Sequence, residues 1–169
     1  AVTLALEYAQ IPYETIWDED VLQGGLDDYD WLHLHHEDFT GQYGKFYGSY
    51  GREAWYLEQH SEYEAMARRL GYGKVSQQKK AVVVEIYEYM AAGGFLFAMC
   101  SATDTFDIAL AAFDLDICHQ VFDGDGADGQ AQSKLDYRRT VAFEDFQLES
   151  NPLVYEFSDI DTTPTDVRQ

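Results

Sequence analysis

The segment "GGFLFAMCSATDTFDIALAA", residues 93–112, predicts a buried strand, a single cysteine and a helix in direct succession. Residues 95–99 are apolar without polar alternation, which favours a parallel strand covered on both faces. The residues after Cys100 follow a helical pattern whose first turn carries Thr103 and Asp104. Strand, cysteine and helix in this order indicate an α/β fold.

A second strand is predicted near residues 30–35, within "DYDWLHLHH". Two amphipathic helices, ending near Gly71 and Gly93, separate it from the first, so we expect parallel neighbours joined by a right-handed crossover. A short strand at residues 13–17 and two C-terminal strands within residues 140–157 are also predicted. Together they favour a three-layer α/β sandwich with a mainly parallel sheet and a C-terminal β extension.

The size of the chain favours one domain. It has 169 residues, of which 46% are hydrophobic, enough to bury one substantial core. We predict a domain over residues 1–158 and a tail or linker over residues 159–169. Because residue 1 is not methionine and the chain begins in a helical pattern, we expect a piece of a larger protein or assembly.

The charge of the chain excludes some partners. Eleven basic and 31 acidic residues give a formal charge of -20, which repels phosphate backbones and anionic lipids. We therefore predict no nucleic-acid partner. No stretch reaches the roughly 20 apolar residues that a membrane span needs, and the first residues lack the features of a signal peptide.

Cys100 is the candidate nucleophile. The two cysteines, Cys100 and Cys118, are too few for a disulfide scaffold and lack zinc-site spacing. At the start of a helix, a thiol pKa is lowered and backbone N–H groups point toward a developing oxyanion. We expect the Ser101 amide to be one of these donors. The alternative is a small buried residue at a tight strand end.

A histidine and carboxylate cluster follows the second predicted strand. Ligands of parallel sheets bind beyond the carboxyl ends of the strands, where a small-molecule ligand is therefore expected. His35 or His36 would act as base and Glu37 or Asp38 would orient it. A metal site is the rival interpretation, because His33 and His35 project to the same side of a strand. No H-E-x-x-H motif supports a metal, and we predict neither metal nor cofactor.

The acidic loop "DGDGADG", residues 123–129, allows two interpretations. Closely spaced aspartates can bind calcium, but Asp128 and Lys134 stand where an EF-hand loop has glycine and glutamate. A solvated acidic turn is favoured, and calcium binding stays open.

The segments "DYDWLHLHH" and "AAGGFLFAMCSATDTFDIALAA" resemble the class I glutamine amidotransferase-like superfamily, which includes the PfpI-type proteases. The resemblance covers roughly residues 1–118. It implies a flavodoxin-like fold with Cys100 at a nucleophile elbow. The chain is also similar to secreted proteins labelled asparagine synthetase B, which implies a periplasmic or extracellular location.

The sequence also departs from this superfamily. "AMCSA" replaces the glycines on both sides of the cysteine, and "HHED" replaces the glycines of the oxyanion loop. No histidine follows His119, and Ser101 stands where the PfpI-type proteases have a histidine.

Three functions remain open from the sequence. The first is cysteine-dependent hydrolysis or acyl transfer on a small amide or related carbonyl. The second is a catalytically silent binding or structural domain of a larger extracytoplasmic protein. The third is metal-dependent hydrolysis at the histidine cluster.

Overall fold

The computed structural model describes residues 2–161, and residues 1 and 162–169 lie outside it. The predicted tail therefore falls mostly outside the described residues. Two strands are present, β1 (Trp31–His35) and β2 (Phe95–Met99). The α-helices are α1 (Val2–Tyr8), α2 (Asp18–Leu22), α3 (Tyr47–Tyr50), α4 (Ala54–Arg69), α5 (Val75–Ala91), α6 (Ser101–Ala111), α7 (Gln120–Asp123) and α8 (Ala131–Lys134). Short 3₁₀ turns occur at Tyr43–Lys45, Tyr137–Arg139 and Asp159–Asp161.

The two strands are parallel neighbours, as the sequence predicted. Trp31 pairs with Phe95 at one end and His35 pairs with Met99 at the other. The long helices α4 and α5 connect the strands, which is the crossover that parallel pairing requires. The carboxyl ends of both strands consequently lie at the same edge of the sheet.

The predicted three-layer, flavodoxin-like sandwich is wrong. Within residues 2–161 the sheet has two strands, and 48% of these residues are in helices and 8% in strands. The nucleophile elbow implied by the resemblance is not supported either, because the strand before Cys100 belongs to this small sheet.

The other predicted strands are absent for identifiable reasons. Residues 13–17 form no strand, because no strand within residues 2–161 pairs with their backbone groups. In the C-terminal region, a carboxylate uses the N–H groups of residues 141–143 that strand pairing would need. Only an isolated antiparallel bridge between Leu148 and Ser158 remains of the predicted β extension.

The sheet is covered on one face, whereas the sequence predicted cover on both. Side chains that point toward α5 and α6, such as Leu32 and Leu96, pack in the main core. On the opposite face, Trp31, Phe95 and Phe97 are 47%, 58% and 43% exposed. An apolar run can thus occur in a strand with one open face, since periodicity alone does not report the second layer.

The main core lies between the sheet, α5 and α6. The predicted apolar stripe of α5 is confirmed at Val82, Val83 and Ile86, which are almost fully buried. There are two smaller buried clusters among the described residues. One contains Tyr43 and Phe122, and the other contains Ile108 and Phe146. These packed helices hold the end of the sheet where the candidate site lies.

Candidate functional site

Cys100 links the end of β2 to the start of α6 and is exposed. Its backbone has φ 56° and ψ -138°, a conformation that residues other than glycine rarely adopt. Such strain is of order 1–3 kcal/mol and persists only where the surrounding structure enforces it. Here the paired strand before Cys100 and the buried helix after it supply that constraint.

His35 and His36 lie at the corresponding end of β1. Both are exposed, and their ring centroids are 4.0 Å apart. Partial desolvation, followed by electrostatic interaction with His36 and His33, lowers the pKa of His35. His35 is therefore neutral near pH 7 and able to accept a proton.

Strand pairing brings Cys100 and the histidines to one edge of the sheet. His35 is opposite Met99, so His36 and Cys100 are the next residues of the two paired strands. Ser101 is buried in the first turn of α6, where backbone N–H groups have no acceptor within the helix. The edge therefore combines a thiol, two imidazoles and helix-start amides.

Glu37 contacts an amine and not a histidine. Its carboxylate is ion-paired with Nζ of the buried Lys79, which also lies 2.8 Å from Oδ2 of Asp18. Burial alone would lower the pKa of Lys79, but Glu37 and Asp18 outweigh this effect and raise it. The backbone oxygen of Glu37 also accepts a hydrogen bond from Thr105 at 3.0 Å.

Asp38 is a structural residue of the loop that follows. One oxygen of its buried carboxylate accepts hydrogen bonds from the backbone N–H and hydroxyl of Thr40, at 2.7 and 2.6 Å. The other accepts the N–H of Gly44 at 2.9 Å. Since Tyr43, Gly44 and Lys45 all have positive φ, this carboxylate stabilises a strained turn. A role for Glu37 or Asp38 in orienting a histidine stays a prediction.

The histidines do not form a metal cluster with nearby carboxylates. The only group of ligand-type side chains close enough for a metal, within residues 2–161, is Asp116, Cys118 and Asp123. The ring of His33 is instead 5.1 Å from that of Phe97.

A lysine lies at the centre of the acidic cluster beside α7. Lys74 Nζ lies 2.5 Å from Asp116, 2.5 Å from Asp125 and 3.0 Å from Asp123. Burial raises the pKa of the neighbouring Cys118 thiol, which donates to the carbonyl of Thr40. These contacts make the cluster an internal ion-pair network, and calcium binding by the loop stays open.

Sequence reasoning missed Lys79 and Asp107. Lys79 lies on the same stripe of α5 as Val75, Val82 and Ile86, and a lysine at a core position of an apolar stripe indicates a buried charge. Asp107 accepts the N–H groups of residues 141–143 at 2.7–2.8 Å. No local pattern could have shown that contact, because its partners are more than 30 residues away.

Comparisons with protein-family models, with curated proteins and with solved structures find no match to this chain. The resemblance to the amidotransferase-like superfamily therefore remains a prediction from the residues alone. Among residues 2–161, no helix combines the length and apolar character needed to cross a bilayer.

Proposed function

We propose that Cys100 is the nucleophile of a thiol-dependent hydrolysis or acyl transfer on a small amide or related carbonyl. The observation that carries this proposal is the strained backbone of an exposed cysteine between a strand and a helix. Strained residues of this kind cluster at active sites, where the surrounding structure enforces them. Glycine would relieve the strain but would remove the thiol.

The neighbouring groups support the same chemistry. His35 or His36 accepts the thiol proton, and the sulfur then attacks the carbonyl carbon. The N–H groups at the start of α6, including that of Ser101, stabilise the oxyanion. The histidinium returns the proton to the leaving amine, and water or an acceptor nucleophile cleaves the thioester. This scheme needs no carboxylate beside the histidine.

The test is acylation of the protein by p-nitrophenyl acetate. We expect one acetyl group on Cys100 by peptide mass spectrometry and a release of nitrophenolate that Cys100→Ala abolishes. Replacing both His35 and His36 with glutamine should slow acylation at least about tenfold. The control is His60→Gln, a histidine that contacts the carbonyl of Phe122 far from this edge.

Two outcomes would contradict the proposal. The first is acylation of Cys100 no faster than that of free glutathione at the same pH. The second is an unchanged rate in the double histidine variant. Either result would favour the other function left open by the sequence, a catalytically silent binding domain. A large cleft beside β1 specifically favours that second candidate.

A further inference from the structure

A cleft of about 810 Å³ opens along β1, on the side away from β2. The continuous segments 11–18 and 28–35 form two of its walls. All five residues of β1 line it. Long continuous stretches of chain in the lining suit an extended occupant.

The outer edge of β1 has backbone groups available for pairing. Within residues 2–161, β1 pairs with β2 alone, so the N–H and C=O groups that point away from β2 have no strand partner. An unpaired strand edge is a template for a further strand. The cleft follows this edge over five residues, which corresponds to about 16 Å of strand.

The cleft is apolar inside. Leu26, Leu32 and Ile86 form buried parts of its surface. Trp17 and Trp31 also line it and are 68% and 47% exposed. Their exposed rings would be covered by an apolar occupant, which is a favourable change of about 25 cal/mol per Å².

Acidic side chains surround this apolar surface. Five carboxylates line the cleft, from Glu14, Asp18, Asp28, Asp30 and Glu37, against one amine, from Lys79. The charge favours an occupant with basic residues. It also disfavours a second copy of this chain, whose formal charge is -20.

We propose that this cleft binds an extended, largely apolar segment with lysine or arginine at its ends, supplied by another polypeptide, which adds as a strand to the outer edge of β1. This inference goes beyond the proposed thiol chemistry: His35 lines the cleft, but Cys100 does not. Cys100→Ala should therefore bind the same segment with unchanged affinity.

The first probe is the capped peptide KVTVIVK. The titration uses a Trp55→Phe variant, so that emission comes only from Trp17 and Trp31. We expect saturable binding with a shift of tryptophan emission to shorter wavelength and weaker quenching by acrylamide. Amide hydrogen exchange at β1 should slow on binding, because strand addition pairs its outer N–H groups.

Peptide variants test backbone pairing and charge. Two N-methylated isomers of KVTVIVK carry methyl groups on the two alternating sets of backbone nitrogens. Each isomer lacks the N–H donors on one edge of the peptide strand and keeps those on the other edge. At least one isomer should bind about tenfold more weakly, equivalent to about 1.4 kcal/mol. EVTVIVE should also bind more weakly than KVTVIVK. Equal affinity for both methylated isomers and the parent would overturn the proposal.

Protein variants test the role of the carboxylates that line the cleft. Glu14→Gln combined with Asp28→Asn should weaken binding of KVTVIVK, whereas Glu58→Gln combined with Glu62→Gln, on exposed positions of α4, should not. Equal effects of the two pairs would overturn the charge argument. Analytical ultracentrifugation of the chain alone tests whether a second copy of the chain occupies the cleft and forms a dimer. A dimer that KVTVIVK separates into monomers would overturn the proposal of a different partner.

Discussion

Glu37 is ion-paired with Lys79, a buried lysine on the inner side of α5. The sequence placed Glu37 next to two histidines and predicted that Glu37 or Asp38 orients one of them. In the folded chain the carboxylates of Glu37 and Asp18 both pair with this buried amine. The Glu37 contact connects the end of β1 to α5. It stabilises the fold at the edge of the candidate site and does not involve a histidine.

Lys79→Met should lower the free energy of unfolding by about 3 kcal/mol, because it leaves Glu37 and Asp18 close together without their cation. Urea denaturation measures the change. Lys134→Met is the matched control, since Lys134 pairs with Asp128 at an exposed position and should change stability by less than about 1 kcal/mol. Equal effects would show that the buried pair contributes no more than an exposed one.

Asp38→Ala should destabilise the protein by about 3 kcal/mol. The substitution removes one acceptor from three donors, two on Thr40 and one on Gly44, and releases a turn with positive φ. Thermal unfolding followed by circular dichroism measures the loss, with the exposed Asp27→Ala as control. A small loss together with abolished acylation would instead assign Asp38 to the reaction.

Cys100→Gly should stabilise the protein by about 1 kcal/mol, because glycine adopts the observed φ and ψ without strain. The relief of strain should exceed the extra conformational entropy that glycine loses on folding. Cys100→Ala keeps the Cβ atom and should not stabilise. The comparison of the two unfolding midpoints isolates the backbone effect. Destabilisation by Cys100→Gly would mean that the cysteine side chain contributes packing and that strain is absent.

The two cysteines should differ in alkylation by iodoacetamide. Cys100 is exposed, whereas Cys118 is 1% exposed and burial raises its pKa. One thiol should react in the native protein and both in 6 M guanidinium. Peptide mapping should place the native modification at Cys100. Two reactive thiols in the native state would contradict the observed burial of Cys118.

The raised pKa of Cys118 also predicts a loss of stability at alkaline pH. The folded state holds the thiol proton above the unfolded pKa of about 8.5, so this contribution is complete below that pH and decreases as pH rises. The stability difference between the wild type and Cys118→Ala should shrink by up to about 1.4 kcal/mol per pH unit between pH 9 and 10. A difference that is constant with pH would contradict the shift.

The local elements were largely predictable from the sequence. Gly71 and Gly93 marked the ends of α4 and α5 correctly, and residues 95–112 were correctly read as strand, cysteine and helix. Glycines at helix ends and helical periodicity are local signals, because they depend on neighbouring residues and not on distant parts of the chain. The parallel pairing of β1 with β2 followed from the long helical connection between them.

The size of the sheet was not predictable in this way. Residues 13–17 have strand-like composition but no strand pairing, since a strand needs a partner for its backbone groups and composition does not supply one. The C-terminal segment has the same limitation, because Asp107 takes the amides of Val141 and Phe143.

The sequence by itself determined the long helices α4, α5 and α6, the two strands, and the placement of Cys100 and the histidines at one edge of the sheet. The tertiary structure alone decided the partners of the charged groups. Glu37 contacts Lys79, and Asp38 accepts hydrogen bonds from the 40–44 loop. A buried charge needs a compensating partner, and that partner can come from any part of the chain. For the same reason the cleft beside β1, made from segments 11–18 and 28–35, exists only in the folded molecule.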